Sequence, residues 1–232
     1  MAAVLIVAPH AMDEALGCGG TMALHAEAGD HVETLVLFGD GSGLDAKRRQ
    51  VAPQAAAALG ARPPRFVGFP ENRSDTLPLL DIIAAVERAI SDIGPNVIYV
   101  PHGGNLHIDH QTAFRAVLTA ARPTPGHPVR EIYAYEVPSS TEWASPTAGQ
   151  PFLPARFVDI TAVVQRKMTA LACYGAELRS SPHSRSTEGI DALIRLRGHN
   201  VGVAAAEAFA VVRQIVGGPS GSPLRYVALQ GS

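Results

Sequence analysis

Apolar residues along the chain fall into short runs separated by polar loops, and the runs alternate between two periods. Val4-Leu-Ile-Val-Ala8 is an unbroken apolar run that reads as a buried strand of a parallel sheet. His31 to Phe38, Arg65 to Phe69, Asn96 to Val100 and Glu131 to Glu136 repeat the strand signal. Helical stretches lie between them. One runs from Gly19 to Ala28 and closes at Gly29-Asp30. Another covers Lys47 to Leu59, where Pro53 must sit in the first turn or kink the helix. Leu79 to Ile93 places Leu80, Ile83, Val86 and Ile90 on one face, and a further helix ends at Ala121. Repeated strand–loop–helix units of this length predict a parallel sheet covered on both faces.

Beyond Val137 the pattern loosens, with Pro, Ser and Gly scattered from Pro138 to Pro154. Phe157 to Ile160 reads as a short strand, and Thr161 to Leu178 as a helix with Thr161 as its cap. Two more helices are expected over Thr187 to Arg197 and Ala204 to Ile215. A linker from Gly217 to Pro223 then leads to a last strand, Leu224 to Leu229. No internal repeat or composition break calls for a second domain. Residues 1–232 are expected to form one domain, with a core of about 1–136 and an extension of about 137–232.

Bulk numbers narrow the function classes. Hydrophobic residues make up 47% of the chain and charged ones 17%, as expected of a packed globular protein. Lys and Arg number 19 against 21 Asp and Glu, and a net charge of −2 gives no attraction to nucleic acid or an anionic membrane. The first apolar run has no basic flank and stops at Pro9, so it is read as neither signal peptide nor membrane span. Cys18 and Cys173 are the two cysteines and form no metal-type pair, consistent with a reduced, cytoplasmic protein.

The candidate chemistry sits where strands end. His10-x-x-Asp13 follows the first strand and His107-Ile-Asp-His110 the fourth. Either pair alone is ordinary as a cap or turn. Both on one sheet edge form a set of two His and an Asp suited to zinc or another divalent first-row metal. Such a metal acidifies a bound water and polarises a carbonyl. A histidine beside the ligands can act as acid or stabilise an oxyanion, and Asp109 would orient a histidine. Gly17-Cys-Gly-Gly20 does not have dinucleotide-binding spacing, and a nucleotide-binding reading finds little support.

Pro9-His-Ala-Met-Asp-Glu-Ala-Leu-Gly-Cys-Gly-Gly-Thr21 resembles the His-Pro-Asp-Asp-Glu signature of the PIG-L/LmbE family of zinc-dependent N-deacetylases, and His107-Ile-Asp-His110 matches its His-x-Asp-His motif. Arg48 to Gly60, Tyr135 to Trp143, Pro182-His-Ser-Arg-Ser186 and Arg197 to Phe209 resemble a bacterial branch. The resemblance implies a Rossmann-like three-layer α/β fold with a mostly parallel sheet and a less regular C-terminal third. It implies removal of an acetyl group from an N-acetylated sugar or sugar conjugate. By position, His10, Asp13 and His110 would hold Zn2+. His107 would stabilise the tetrahedral intermediate and assist the leaving amine, with Asp109 as its partner. Arg48, Asn105, His183 and Arg185 would contact substrate, and for His183 and Arg185 a pocket-shaping role or a subunit contact is also open. For Glu136, Glu142 and Trp143, packing and structural hydrogen bonds are at least as fitting. A homo-oligomer is expected.

Two departures from the family pattern matter. Met12 stands where the family has the Asp taken as general base, and Asn105 stands where related sequences often have Asp. A thioether cannot accept a proton near neutral pH, and general base catalysis is commonly worth about 10²–10⁴-fold. The active reading therefore needs another proton path, through His107 or through Asp109, Asp40 or Glu14. Its alternatives are a retained metal pocket that binds a sugar or partner without turnover, and a Met12 introduced into an active enzyme.

Overall fold

A computed structural model describes residues 1–145 and 149–217. The chain forms β1 (Ala3–Ala8), α1 (Asp13–Glu27), β2 (His31–Phe38), α2 (Gly43–Leu59), β3 (Arg65–Phe69), α3 (Leu79–Ile93) and β4 (Val97–Pro101). It continues through α4 (Ile108–Ala120), β5 (Glu131–Tyr135), β6 (Arg156–Asp159), α5 (Val164–Cys173), α6 (Thr187–His199) and β7 (Ala206–Gln214). The strands make one sheet in the order β3-β2-β1-β4-β5-β7-β6. Its first five members pair in parallel, and β7 runs antiparallel to both its neighbours. Among the described residues, no helix is long and apolar enough to cross a membrane.

The sheet has a core on each face because successive side chains of a strand point to opposite sides. From β1, Val4, Ile6 and Ala8 enter one cluster with residues of α1, α2, α5 and α6. Leu5 and Val7 enter the other with residues of α3 and α4. This three-layer arrangement is the expected Rossmann-like α/β fold. The connection from β1 leads outward to β2 and β3, whereas β4 returns to the other side of β1. The crevice beyond the carboxyl ends of β1 and β4 is therefore a topological switch point, where open α/β sheets bind ligands. His10 and His107 to His110 follow those two strands.

Several elements differ from expectation. Ala204 to Ile215, expected as a helix, is β7: Ala and Glu favour a helix locally, but this segment fills the gap between β5 and β6 and is hydrogen-bonded along both sides. The helix expected from Thr161 is a short 3-10 turn followed by α5, and the Thr161 hydroxyl is used on Asp159 Oδ1 and Ala205 N instead of capping. α1 starts six residues earlier than expected, at Asp13, and α2 starts at Gly43, so that Pro53 lies inside it. Residues 218–223 of the expected linker and the last expected strand lie outside the described residues.

α1 is divided at Cys18, whose backbone leaves helical geometry (φ −145°, ψ 20°). A Cβ on Gly17 would collide with the Tyr135 ring, and one on Gly20 would lie 2.7 Å from Ile160. The break leaves backbone groups without helical partners, and a buried ion pair satisfies them. Lys167 Nζ donates to Ala15 O (3.0 Å), Leu16 O (2.7 Å) and Glu207 Oε1 (2.6 Å). Glu207 in turn accepts from Gly20 N, Thr21 N and Thr21 Oγ1 at 2.6–2.8 Å. Residues of α5 and β7 thus hold the turn of α1 that carries Asp13.

Candidate active site

Ala8 ends β1 and His10 follows two residues later. The Asp13 carboxylate folds back to accept the His10 backbone N–H at 3.0 Å. Met12 lies between them with φ 97° and ψ −31°, a conformation uncommon outside glycine. Its N–H donates to Glu14 Oε2 (2.9 Å), and Glu14 accepts a second hydrogen bond from Tyr174 Oη (2.9 Å). Burial pushes the Glu14 carboxyl up to about 7. On the other strand, His107 caps α4 by accepting the Asp109 N–H on Nδ1 (3.2 Å). Asn105 Oδ1 holds the His107 N–H at 2.9 Å.

Asp13 Oδ2 lies 3.3 Å from His10 Nδ1 and 3.3 Å from His110 Nε2. These separations are long for hydrogen bonds. They match the edge of a tetrahedron around a first-row metal, where bonds of roughly 2.0–2.2 Å give edges of about 3.4 Å. The donor atoms of His10, Asp13 and His110 all lie within 4.8 Å of one another, and the three residues are buried. His110 Nδ1 has no hydrogen-bond partner among the described residues. A second group, His10, His107 and Asp109, is equally compact. There, however, both Asp109 oxygens already accept backbone N–H groups, from Asn72 (2.7 Å) and Ser74 (3.2 Å), and His107 Nδ1 is engaged. The first set fits a divalent metal better.

Charge in the site points the same way. Burial opposes the charged form of His10, but Asp109, Asp13 and Glu71 outweigh it and raise the imidazole to about 9. Burial likewise disfavours ionised Asp13, yet His110 and His10 hold its carboxyl well below the usual range. The same carboxylates that favour a proton on His10 would favour a metal cation in its place, in competition with that proton.

Asp109 was expected to partner His107. Its carboxylate instead bonds His10 Nε2 at 2.9 Å, because its position in the first turn of α4 offers His107 only a backbone N–H. A carboxylate behind a metal-ligating imidazole fixes the ring and its tautomer. Despite burial, the hydrogen bonds from His10, Asn72 and Ser74 hold Asp109 down to about 2. Asp109→Asn is expected to weaken metal affinity about 10–100-fold, which titration with a competing chelator measures. An unchanged affinity would remove Asp109 from this role.

His10, Asp13 and His110 line a cavity of about 100 Å³ together with Met12, His107, Arg48 and Arg185. Two acidic residues in its wall, Glu71 and Glu177, were not singled out from the sequence. Arg48 Nε and Nη2 donate to Glu177 (2.6 and 2.8 Å), and Nη1 donates to both Glu71 oxygens at 3.0 Å. Asn105, expected to touch substrate, lies behind His107 and is used on Ser140 and Thr141 as well. His183 does not line the cavity. Its Nδ1 accepts Arg185 N, and its ring stacks edge-on against exposed Trp143. Glu136 pairs with Arg197, and Glu142 accepts Ser139 N, so both have structural partners. Asp40 is exposed and bonded to Ser42.

His107 differs electrostatically from its neighbours. Burial, then the nearby His110 and His10, push its pKa down to about 4. With Nδ1 accepting a backbone N–H, the neutral ring carries its proton on Nε2. The site thus combines a metal-type donor set with a neutral imidazole donor 4.9 Å, ring to ring, from both histidines of that set.

The profile of the PIG-L family, described as GlcNAc-PI de-N-acetylase, matches residues 5–121, just over half of the chain. The uncharacterized deacetylase YaiS of Escherichia coli K12 is 29% identical over 164 residues, covering 68% of this chain and 81% of its own. A Bacillus cereus protein described as a probable N-acetyl-alpha-D-glucosaminyl L-malate deacetylase is 27% identical over 190 residues, covering 75% and 83%. Among solved structures, the conserved protein TT1542 from Thermus thermophilus superposes with a TM-score of 0.74 at 25% identity, over 96% of this chain and all of that one. The family match includes both loops that build the donor set, and the chain belongs to the PIG-L family of de-N-acetylases.

Proposed function

We propose that this protein hydrolyses the N-acetyl amide of an amino sugar or sugar conjugate, with a divalent metal, Zn2+ first among candidates, held by His10, Asp13 and His110. The observation that carries this reading is the pair of 3.3 Å separations around Asp13 Oδ2, beside a neutral His107. When bound, the metal supplies Lewis acidity that polarises the acetyl carbonyl and acidifies the attacking water. His107 Nε2–H hydrogen-bonds the carbonyl oxygen as negative charge develops on it. Asp109 holds the His10 ring in place.

The water's proton needs an acceptor, and Met12 offers none. Asp109 is saturated, Glu14 is turned to Met12 N and Tyr174, and Asp40 is bonded to Ser42 outside the cavity. Glu71 lines the cavity, 3.9 Å from His10 Nε2, and Arg48 fixes its carboxylate. In this reading Glu71 takes the water's proton and passes it to the leaving nitrogen. The water oxygen adds to the acetyl carbon as that proton leaves, and once the nitrogen carries the proton the tetrahedral adduct collapses, breaking the C–N bond to give acetate and a free amine.

Met12 favours a second reading, in which the pocket binds metal and ligand without turnover. Comparing acetate release by the native protein with Met12→Asp separates them. The positive φ at position 12 suits Asp better than Met, so the variant should fold. With Glu71 already acting, the native protein releases acetate and the variant changes kcat by less than about 10-fold. A silent native protein with a gain of about 10²–10⁴-fold in Met12→Asp would identify a disabled deacetylase.

A further inference from the structure

Among the charged side chains that line the cavity, Arg185 alone has no acidic partner among the described residues. Glu71 and Glu177 both pair with Arg48, and Asp13 faces His10 and His110. Arg185 is nevertheless held firmly. Its backbone N donates to His183 Nδ1 at 2.9 Å, its carbonyl accepts Arg179 N at 3.2 Å, and its Nε donates to Pro138 O at 3.0 Å. These bonds leave both terminal amino groups of a half-buried guanidinium without a protein partner among the described residues. A guanidinium anchored through Nε and free at its outer end is preorganised for a two-oxygen anion, because less rotamer freedom is lost when that anion binds.

Cavity size places the anion. About 100 Å³ is well below the 300–1,000 Å³ that encloses a whole small ligand, room for an acetamido group but not for a whole sugar conjugate. The remainder of the substrate lies at the mouth, where Arg185 is partly exposed. We infer that Arg185 reads an anionic group, a carboxylate or a phosphate, on the part of the substrate that stays outside the cavity. This specificity rests on the deacetylase reading above, but it can be tested apart from turnover.

The test uses zinc-loaded protein and three probes: glucosamine, glucosamine 6-phosphate, and a glucosaminide whose aglycone carries a carboxylate. Calorimetry gives their affinities for the native protein, Arg185→Gln and Arg185→Lys. The native protein is expected to prefer at least one anionic probe over glucosamine by about 10–100-fold, the range of a hydrogen-bonded charge pair. Arg185→Gln should abolish that preference. Arg185→Lys, which keeps the charge and loses the fork, should retain only part of it. The stronger anionic probe tells carboxylate from phosphate. Equal native affinity for all three probes, no binding of any, or an equal loss on all three in Arg185→Gln would overturn the inference. The N-acetylated forms of the same probes then report acetate release. If none is hydrolysed while the Arg185-dependent preference holds, the deacetylase reading fails and the anion site stands.

Discussion

His107→Ala is expected to lower kcat for acetate release by about 10²–10³-fold, the effect of removing one oxyanion donor, while the bound metal stays in place. The two halves of this expectation have separate causes. His107 is not part of the 3.3 Å donor set, so the metal keeps its three ligands. Its pKa, pushed down to about 4, keeps the imidazole neutral from pH 5 to 8, with the proton on Nε2. Lowering the pH through 4 would add a proton to Nδ1 and break the cap on Asp109 N. The cap itself introduces a second effect, since Ala removes it and costs about 1 kcal/mol of stability. His107→Asn separates the two, because Asn is a good cap but lacks the ring donor. A near-normal melting temperature with a comparable loss of kcat in His107→Asn supports the assignment. Loss of the metal in either variant, or full activity in both, would contradict it.

Lys167→Met is expected to cost about 3–5 kcal/mol of folding stability, as a lower urea midpoint with an unchanged slope. Lys167 and Glu207 are fully buried, and removing one leaves the other charge uncompensated. The double variant Lys167→Met/Glu207→Met carries the sharper expectation. Replacing both members of a buried pair by apolar residues is often neutral or stabilising. Here the pair also serves Ala15 O, Leu16 O, Gly20 N and Thr21 N at the break in α1. Without it those groups are buried and unbonded, each at about 1–3 kcal/mol. The double variant should therefore remain destabilised. A double variant as stable as the native protein would mean that the break closes without help.

The reach of the sequence can be judged from particular residues. β1 and β4 were legible because a central parallel strand is apolar on both faces, and α3 because its apolar positions keep one helical face. β7 was not legible. Ala206-Glu-Ala-Phe-Ala210 has helix-favouring composition, and its strand form depends on β5 and β6 alongside it and on Glu207 reaching Gly20 and Thr21 across the fold. The donor set was legible as two motifs at strand ends, since the strands fix where those loops meet. Glu71 and Glu177 were not, because a lone Glu in an irregular segment has no period. Arg48 reveals them only once its burial is known, because a buried arginine demands carboxylates nearby. Asp109 was paired with the wrong histidine because His107 is close in sequence, whereas His10 is close only once β1 and β4 lie side by side.

In the proposed reading, these placements let the site work without a carboxylate at position 12. Met12 holds an unusual backbone conformation beside two strong polar anchors, Asp13 and Glu14, and contributes only apolar surface to the cavity. Glu71 enters from a different loop and is oriented by Arg48, so in the proposed reading the proton acceptor and the metal donor set come from separate parts of the chain.

The most direct test of the central claim measures acetate released from N-acetylated sugars by the native protein, first stripped of metal with a chelator and then reloaded with one equivalent of Zn2+. The account predicts no release from the stripped protein and full recovery at one bound zinc per chain, with binding lost in Asp13→Ala. Acetate release that persists in the stripped protein, or stoichiometric zinc binding in Asp13→Ala, would contradict it.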